Sequence, residues 1–291
     1  MSAEVFQQDL KGKSPRPGGP FLIQLLFREQ VAMPDKERMI AVMERHVGRV
    51  ECYSHDKKSA GFSTMEHLGE FKEGKVPVQL IVTACESFQG KGFDPFLTSQ
   101  MWDCMEERDR ILEQCQYQVV AVDMLAASLP ALERAQLDMD FLEALAELYP
   151  TCEGFYFQNC GKLFSGEQVR SHGLQGSDRF IRFGVNARFF NIQDTEDMIV
   201  DTVGMSTLFL PDLQYHFHDM DPNWVVGHAY NLASYILEND NPIQSGETVD
   251  GIAGGRMSQQ VQWLCQYEDA LVQPPRGVLD VNMGEYASGG R

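Results

Sequence analysis

The chain has 291 residues, which suits one large domain or two of ordinary size, and 43% of them are hydrophobic, as is usual in globular proteins. Its 42 acidic residues outnumber its 24 basic residues and give a formal net charge of -18. Such a surface repels phosphate groups, and the sequence has no concentrated basic patch, so we expect no binding to nucleic acid or to an anionic membrane. The excess of carboxylates favours a basic protein or a small cationic ligand as the partner.

The cysteines and the N-terminal segment indicate a reducing compartment. Seven cysteines are scattered along the chain without a Cys-x-x-Cys pair, so neither a zinc knuckle nor a thioredoxin-type motif is predicted. Residues 1–19 are polar, contain Pro and Gly, and lack the apolar core of a signal peptide, so we predict a flexible arm there. No apolar run reaches the length of a membrane span. We therefore expect a cytoplasmic protein.

The first half of the chain alternates strand and helix patterns. Short apolar runs between turn residues predict strands at 21–27, 50–53, 61–68, 76–84, 117–125, 152–158 and 162–164. Apolar residues at helical spacing predict helices at 34–47, 95–115 and 129–148. A Gly- and Ser-bearing stretch with little apolar content follows at 171–178, and we predict a domain boundary there.

The second half mixes strands and helices in the same way. Its patterns predict strands at 180–190, 213–218, 261–267 and 278–283, helices at 194–210 and 221–237, and a polar, Gly-rich loop at 239–259. We therefore expect an α+β protein with mixed, largely antiparallel sheets and helices packed on one face. Two ferredoxin-like halves are one layout that fits this order. The predicted domains are an N-terminal α+β domain at 20–170 and a C-terminal α+β domain at 176–291.

A group of histidines and carboxylates lies between a predicted strand and the helix that follows it. His216 and His218 are two residues apart on that strand, so they point the same way, about 7 Å apart by the strand rise. With Asp219, and with His228 returning from the helix, they could bind zinc or a harder divalent ion that activates water. The alternative is that both histidines occupy the polar face of a half-exposed strand and that Asp221 only caps the helix.

Four stretches of the C-terminal half resemble a known bacterial family. They are Leu-Gln-Tyr-His-Phe-His-Asp-Met-Asp-Pro-Asn (213–223), Ala-Tyr-Asn-Leu-Ala-Ser-Tyr-Ile (229–236), Ser-Gly-Glu-Thr-Val-Asp-Gly (245–251) and Trp-Leu-Cys-Gln-Tyr-Glu-Asp (263–269). The family is uncharacterised and carries a C-terminal domain of unknown function, and the resemblance lies mainly over 176–283. It implies a bacterial cytosolic protein whose chemistry is unassigned, and it transfers no catalytic residues.

Two functions of different classes fit these observations. The favoured one is a non-enzymatic binding or protein-interaction module that uses its acidic surface against a basic partner, with a toxin-neutralising or stress-related role. We assign Trp224, Tyr235 and Arg256 to its ligand or partner surface. The alternative is a metal-dependent hydrolase that uses the His/Asp group at 216–228. Apart from that divalent metal no cofactor is expected, and the oligomeric state is left open.

Overall fold

The computed structural model describes residues 19–88, 93 and 95–289. These residues form two compact units, one made of 19–184 and one that begins at Val185. Each unit combines helices with a mostly antiparallel sheet, which confirms the predicted α+β class. The predicted arm at 1–19 lies outside the described residues except for Gly19. Among the described residues, no helix has both the length and the apolar character needed to cross a membrane.

The N-terminal unit is built on one sheet. Its strands are β1 (Leu22–Phe27), β2 (Val50–His55), β3 (Ser59–Phe71), β4 (Gly74–Thr83), β5 (Glu86–Ser87), β6 (Tyr117–Met124), β7 (Gly154–Phe157) and β8 (Lys162–Ser165). Its helices are α1 (Lys36–His46), α2 (Pro95–Ser99), α3 (Arg108–Gln114), α4 (Ala131–Leu148), α5 (Gly166–Arg170) and α6 (Ser177–Gly184).

The strands of this sheet pair in the order β2-β3-β4-β6-β1-β7-β8, with β5 beside β6. All of the pairings between its described strands are antiparallel. A ferredoxin-like unit contains adjacent parallel strands joined by helical crossovers, and the described part of this sheet has no such pair. The N-terminal unit is therefore an antiparallel α+β arrangement of a different layout.

Helices cover both faces of this sheet, whereas the sequence predicted helices on one face only. On one face, Leu26 and Tyr156 pack with Ile111 of α3. On the other face, Arg134 of α4 reaches Asp123 of β6 at 2.8 Å. Because β1 is central and carries buried side chains on both sides, each side of the sheet needs a helical cover.

The helix predicted at 95–115 is interrupted. α2 ends at Ser99 and α3 begins only at Arg108, with a 3-10 turn, Trp102–Cys104, between them. The backbone leaves helical geometry at Met101, where φ is -88° and ψ is 60°. The turn places its cysteine in the core and leaves its tryptophan on the surface. Apolar spacing alone did not reveal this break, because both halves keep helical periodicity.

A buried carboxyl group lies on the inner side of α4. Asp138 is completely buried, 3.9 Å from Arg134, whose guanidinium donates to Asp123. Burial raises the pKa of the Asp138 carboxyl well above its usual value of 3.8. The negative charge of the neighbouring Asp123 raises it further, as the second-largest cause. The folded protein therefore favours the neutral form of this group.

We expect Asp138→Asn to stabilise the protein, and more so as the pH rises. The folded state retains a proton that the unfolded chain releases above pH 3.8. The stability of the wild type therefore falls by up to about 1.4 kcal/mol per pH unit between that pH and the raised folded pKa, and levels off above it. The side-chain amide of the variant does not titrate, so the variant does not lose stability in this way as the pH rises.

Thermal denaturation at about pH 4 and about pH 8 measures this effect. The variant should differ little from the wild type at the lower pH and have the higher Tm at the higher pH. Glu44→Gln, at an exposed site on α1, is the control for removing one carboxylate. An equal difference in Tm at both pH values would contradict the prediction.

The C-terminal unit contains a second sheet and one long helix. Its strands are β9 (Asn186–Asn191), β10 (Met198–Val203), β11 (Asp212–Phe217), β12 (Thr248–Ala253), β13 (Arg256–Asp269) and β14 (Gly277–Asn282), and its long helix is α7 (Pro222–Glu238). The strand order is β12-β13-β14-β11-β10-β9, in which only the β11–β14 pairing of the described strands is parallel. α7 packs against β9, β10, β11 and β12.

The strand predicted at 180–190 is wrong in its first half. α6 occupies that part, and β9 only the rest. Phe180 and Phe183 are three residues apart, so on a helix both reach the aromatic core of the N-terminal unit, where Phe183 stacks on Phe157 at 5.8 Å. The unit therefore ends after α6, beyond the stretch at 171–178.

The helix predicted at 194–210 is also wrong. The chain forms β10, which pairs with β9, and then a short 3-10 turn, Met205–Leu208. Asp194, where the helix was predicted to begin, has a φ of 63° and lies in the turn between the two strands. β10 reads Met-Ile-Val-Asp-Thr-Val, and its β-branched residues favour a strand.

The polar segment predicted as a loop at 239–259 contains strand structure. β12 and the start of β13 form an antiparallel hairpin closed by Gly254 and Gly255. Both glycines have positive φ, 56° and 76°, as a two-residue type I′ turn requires. Most of the exposed side chains of this hairpin are polar, with Met257 as an exception, and a polar segment of this kind resembles a loop.

Candidate functional site

The segment that joins β11 to α7 folds as predicted. Asp219, with a φ of 53°, makes the turn between strand and helix. Asp221 caps α7 by accepting a hydrogen bond from the Asn223 amide at 2.9 Å. Pro222 follows at the first helical position, where its missing N–H costs little.

Both faces of β11 are covered. A half-exposed strand, as expected from the sequence, would have only one covered face. Tyr215 and Phe217 are completely buried on the face toward α7. Gln214 is completely buried on the opposite face, where it donates to Asp280 at 2.9 Å. His216, two residues further along, keeps only 14% of its side chain exposed. The physical reason is that segments outside the sheet lie over this face: the Leu271 amide donates to Gln214 Oε1 at 2.7 Å, and Arg276 reaches Asp212.

His228 is a core residue of α7. Its Nε2 lies 2.7 Å from the carbonyl oxygen of Asp250, to which it must donate. Nδ1 is therefore unprotonated and accepts from the Tyr215 hydroxyl at 2.9 Å. The imidazole also lies 4.9 Å from the ring of Trp263. Burial lowers the pKa of His228, so the ring is neutral and both of its nitrogens are occupied.

The structure does not bring the predicted metal ligands together. Tyr215, which binds His228, lies on one face of β11, and His216 lies on the other. His218 is 34% exposed and lies 2.9 Å from its neighbour Asp219. In the ranges that the structure describes, no three His, Cys, Asp or Glu side chains are grouped as metal ligands. The four residues therefore do not form one coordination set.

The C-terminal segment covers His216. The Ser288 amide donates to the His216 carbonyl at 3.0 Å, and the Ser288 hydroxyl donates to Asp197 at 2.8 Å. The other carboxylate oxygen of Asp197 lies 3.5 Å from His216 Nε2. A Cβ on Gly289 would come within 2.8 Å of the imidazole. His216 thus holds the end of the described chain against β11.

Sequence reasoning missed a buried network of ion pairs on the face of the sheet opposite α7. Arg188 donates to both carboxylate oxygens of Asp201. Arg276 reaches Asp201 at 2.8 Å and Asp212 at 3.2 Å. All four side chains are buried. Lone aspartates inside apolar runs were the available signal, but the helix wrongly predicted at 194–210 placed Asp201 on the wrong element.

The exposed side of α7 carries two aromatic side chains in line. Trp224 and Tyr235 are 44% and 49% exposed. They are three helical turns, or about 16 Å, apart on the same side of the helix. Gly227 and Asn231 are exposed between them, and a Cβ on Gly227 would meet nothing within 4 Å. We call these four residues the α7 outer face.

The β12–β13 hairpin adds Arg256 to this surface. A Cβ on Gly255 would lie 2.8 Å from the Trp224 indole, so the hairpin turn rests against that ring. Arg256 follows directly and is exposed, and Met257 after it is 49% exposed. Of the residues predicted for a partner surface, Trp224 and Arg256 therefore come from adjoining elements, and Tyr235 extends the surface along α7.

Carboxylates lie at both ends of the α7 outer face. Asp219 and Asp221 are exposed where the helix begins, and Glu238 and Asp240 are exposed where it ends. The aromatic and glycine-containing centre is thus flanked by negative charge, and Arg256 directly follows the glycine that lies against Trp224. Such a surface complements a partner that has an apolar centre and basic ends.

A protein-family model matches residues 201–282. It is that of DUF4261, a domain of unknown function. The predicted resemblance to an uncharacterised family is thereby confirmed over this segment. The DUF4261 match runs from within β10 to the end of β14 and contains the whole α7 outer face and Arg256. No curated protein and no solved structure matches the chain.

Proposed function

We propose that the protein is an interaction module that binds a basic, amphipathic segment of a partner protein on the α7 outer face. The observation that carries this proposal is the alignment of Trp224 and Tyr235 on the exposed side of a helix whose other side is packed in the core. Single exposed aromatics are common on protein surfaces, but two in line across a gap form an extended apolar strip.

The residue types of this surface suit protein recognition. Trp, Tyr and Arg are the side chains most often found to dominate binding energy at interfaces. Gly227 leaves a gap between the two rings that an apolar side chain of the partner can enter, and Asn231 offers a donor and an acceptor beside it. An amphipathic helix laid along α7 would present anchors at the same three-turn spacing.

Charge determines the class of partner in this proposal. The formal net charge is -18, and exposed carboxylates flank the aromatic strip, so Lys and Arg at the ends of the partner segment would be attracted. A basic toxin that the module neutralises would have this chemistry. A reducing, cytoplasmic compartment belongs to the same proposal, supported by seven cysteines that are all unpaired.

The proposal predicts that a synthetic Lys/Leu amphipathic helix of about four turns binds the protein and that Trp224→Ala with Tyr235→Ala weakens its binding at least about tenfold. The loss follows because the double variant removes both apolar anchors. Fluorescence anisotropy of the labelled peptide measures the Kd, which should also rise with salt as the flanking charges are screened.

Two controls sharpen this test. Tyr53→Ala removes an aromatic ring of similar exposure, 48%, from the N-terminal unit and should leave the Kd unchanged. A Glu/Leu helix of equal length should not bind. Equal binding of the acidic helix, or an unchanged Kd in the double variant, would overturn the proposal. So would a dimer in sedimentation that the double variant abolishes, because a second copy would then occupy the face.

A further inference from the structure

A recess of about 640 Å³ lies in the N-terminal unit, where the chain breaks between α2 and α3. Its walls are the 3-10 turn with Trp102, the adjoining residues 105–107, and the start of α5 with Glu167. Trp102 is 44% exposed and Met105 is 59% exposed, so two large apolar side chains form an open groove. A volume of this size is typical of sites for small ligands.

The described residues that line this recess include carboxylates but neither Lys nor Arg. The Asp103 carboxylate is paired with two cations, Lys162 at 2.9 Å and Arg182. Glu106 and Glu167 have no ion pair within the described ranges of the chain. The groove therefore combines an apolar wall with two carboxylates that make no ion pair within the described ranges.

The two sides of the groove are held in a fixed relation. Gln168 Nε2 donates to the Asp103 carbonyl at 2.7 Å, which ties α5 to the turn that carries Trp102. Gln168 Oε1 accepts from the Ser165 amide at 2.8 Å, and Ser165 caps α5 in return. Because Glu167 adjoins Gln168 and Trp102 adjoins Asp103, these bonds position the carboxylate and the indole around one space.

A smaller recess, of about 250 Å³, shares the Glu107 and Glu167 wall but has basic side chains in its lining. Arg110 and Arg170 line it together with Glu153, and Arg110 is paired with both Glu107 and Glu153. The described lining on the Trp102 side contains no basic side chain, so a positively charged ligand is favoured on that side.

We infer that the groove binds a small organic cation that carries a guanidinium group, stacked on Trp102 and paired with Glu106 and Glu167. A guanidinium is planar, stacks on an indole face and offers a fork of donors that matches carboxylates. An ammonium is more strongly hydrated and lacks the flat face. This site lies in a different unit from the α7 outer face and takes a different class of ligand, so the two proposals stand or fall separately.

Isothermal titration with agmatine tests this inference, with 1,4-diaminobutane as the ammonium comparison. Agmatine should bind saturably and tighter than the diamine. Glu167→Gln should weaken agmatine binding by about tenfold, since it removes a charge-assisted hydrogen bond. Trp102→Leu should abolish the preference for agmatine over the diamine, because the stacking surface is lost.

Matched variants separate the groove from general electrostatics. Glu44→Gln removes an exposed carboxylate outside the groove, and Trp224→Ala with Tyr235→Ala removes the other proposed surface. Both should bind agmatine as the wild type does. The inference is overturned if agmatine shows no saturable binding, if the diamine binds equally well, or if Glu44→Gln and Glu167→Gln have the same effect.

Discussion

We expect Arg276→Met to lower the free energy of unfolding by about 3–5 kcal/mol, the range for breaking a buried ion pair on one side. Arg276 is the cation beside Asp212, which is completely buried, and it also shares Asp201 with Arg188. Burial raises the pKa of Asp212 even with Arg276 present. Without the guanidinium, Asp212 must either stay charged in a dry environment or take up a proton.

Urea denaturation monitored by circular dichroism measures this loss. Arg256→Met removes an exposed arginine from the same unit and should change stability by less than about 0.5 kcal/mol. Adding Asp212→Asn to Arg276→Met should recover part of the loss, because no buried carboxylate is then left without its cation. A loss for Arg276→Met no larger than that of the control would show that the network contributes little.

The second large effect is expected for Trp263→Ala, which should cost about 3–5 kcal/mol through lost packing and the cavity that it leaves. Trp263 is only 1% exposed and lies beside His228. The indole also packs against the backbone at Gly251, where a Cβ would come within 2.7 Å of the ring. Because Gly251 has no side chain, it cannot fill the space that the indole leaves.

Trp224→Ala is the matched comparison, since it removes the same side chain from the same unit at a position 44% exposed. Its cost in chemical denaturation should stay below about 1 kcal/mol. The pair thus distinguishes a tryptophan that holds the unit together from one that is available to a partner. Similar losses of unfolding free energy in both variants would mean that Trp224 is a structural residue. The Trp224→Ala change could then not be used to test peptide binding.

Local patterns predicted the elements around the candidate site well. Alternation in 213–218 gave β11, and Asp221-Pro222 gave the start of α7, because strand pleat and helix capping are set by neighbouring residues. Trp224 and Tyr235, which were assigned to a partner surface, are both exposed. These features depend on few contacts from distant parts of the chain.

Features that depend on distant residues were not predictable in this way. The orientation of the His228 side chain depends on how α7 packs on the sheet. Its hydrogen-bond acceptor is the backbone carbonyl of Asp250 on β12. The ion-pair network joins Asp201 to Arg276, 75 residues later in the chain. Short apolar runs also fit helix and strand equally, which explains the errors at 180–190 and 194–210.

The Gly254-Gly255 turn has a consequence for the recognition that we propose at the α7 outer face. Since Gly255 has no side chain, the Trp224 indole rests on bare peptide backbone, and this support restricts the orientations that the ring can take before any partner arrives. A ring already confined loses little rotational freedom when it is covered, so more of the contact energy is retained as affinity. The β12–β13 hairpin thus fixes the orientation of Trp224 on the adjoining helix α7.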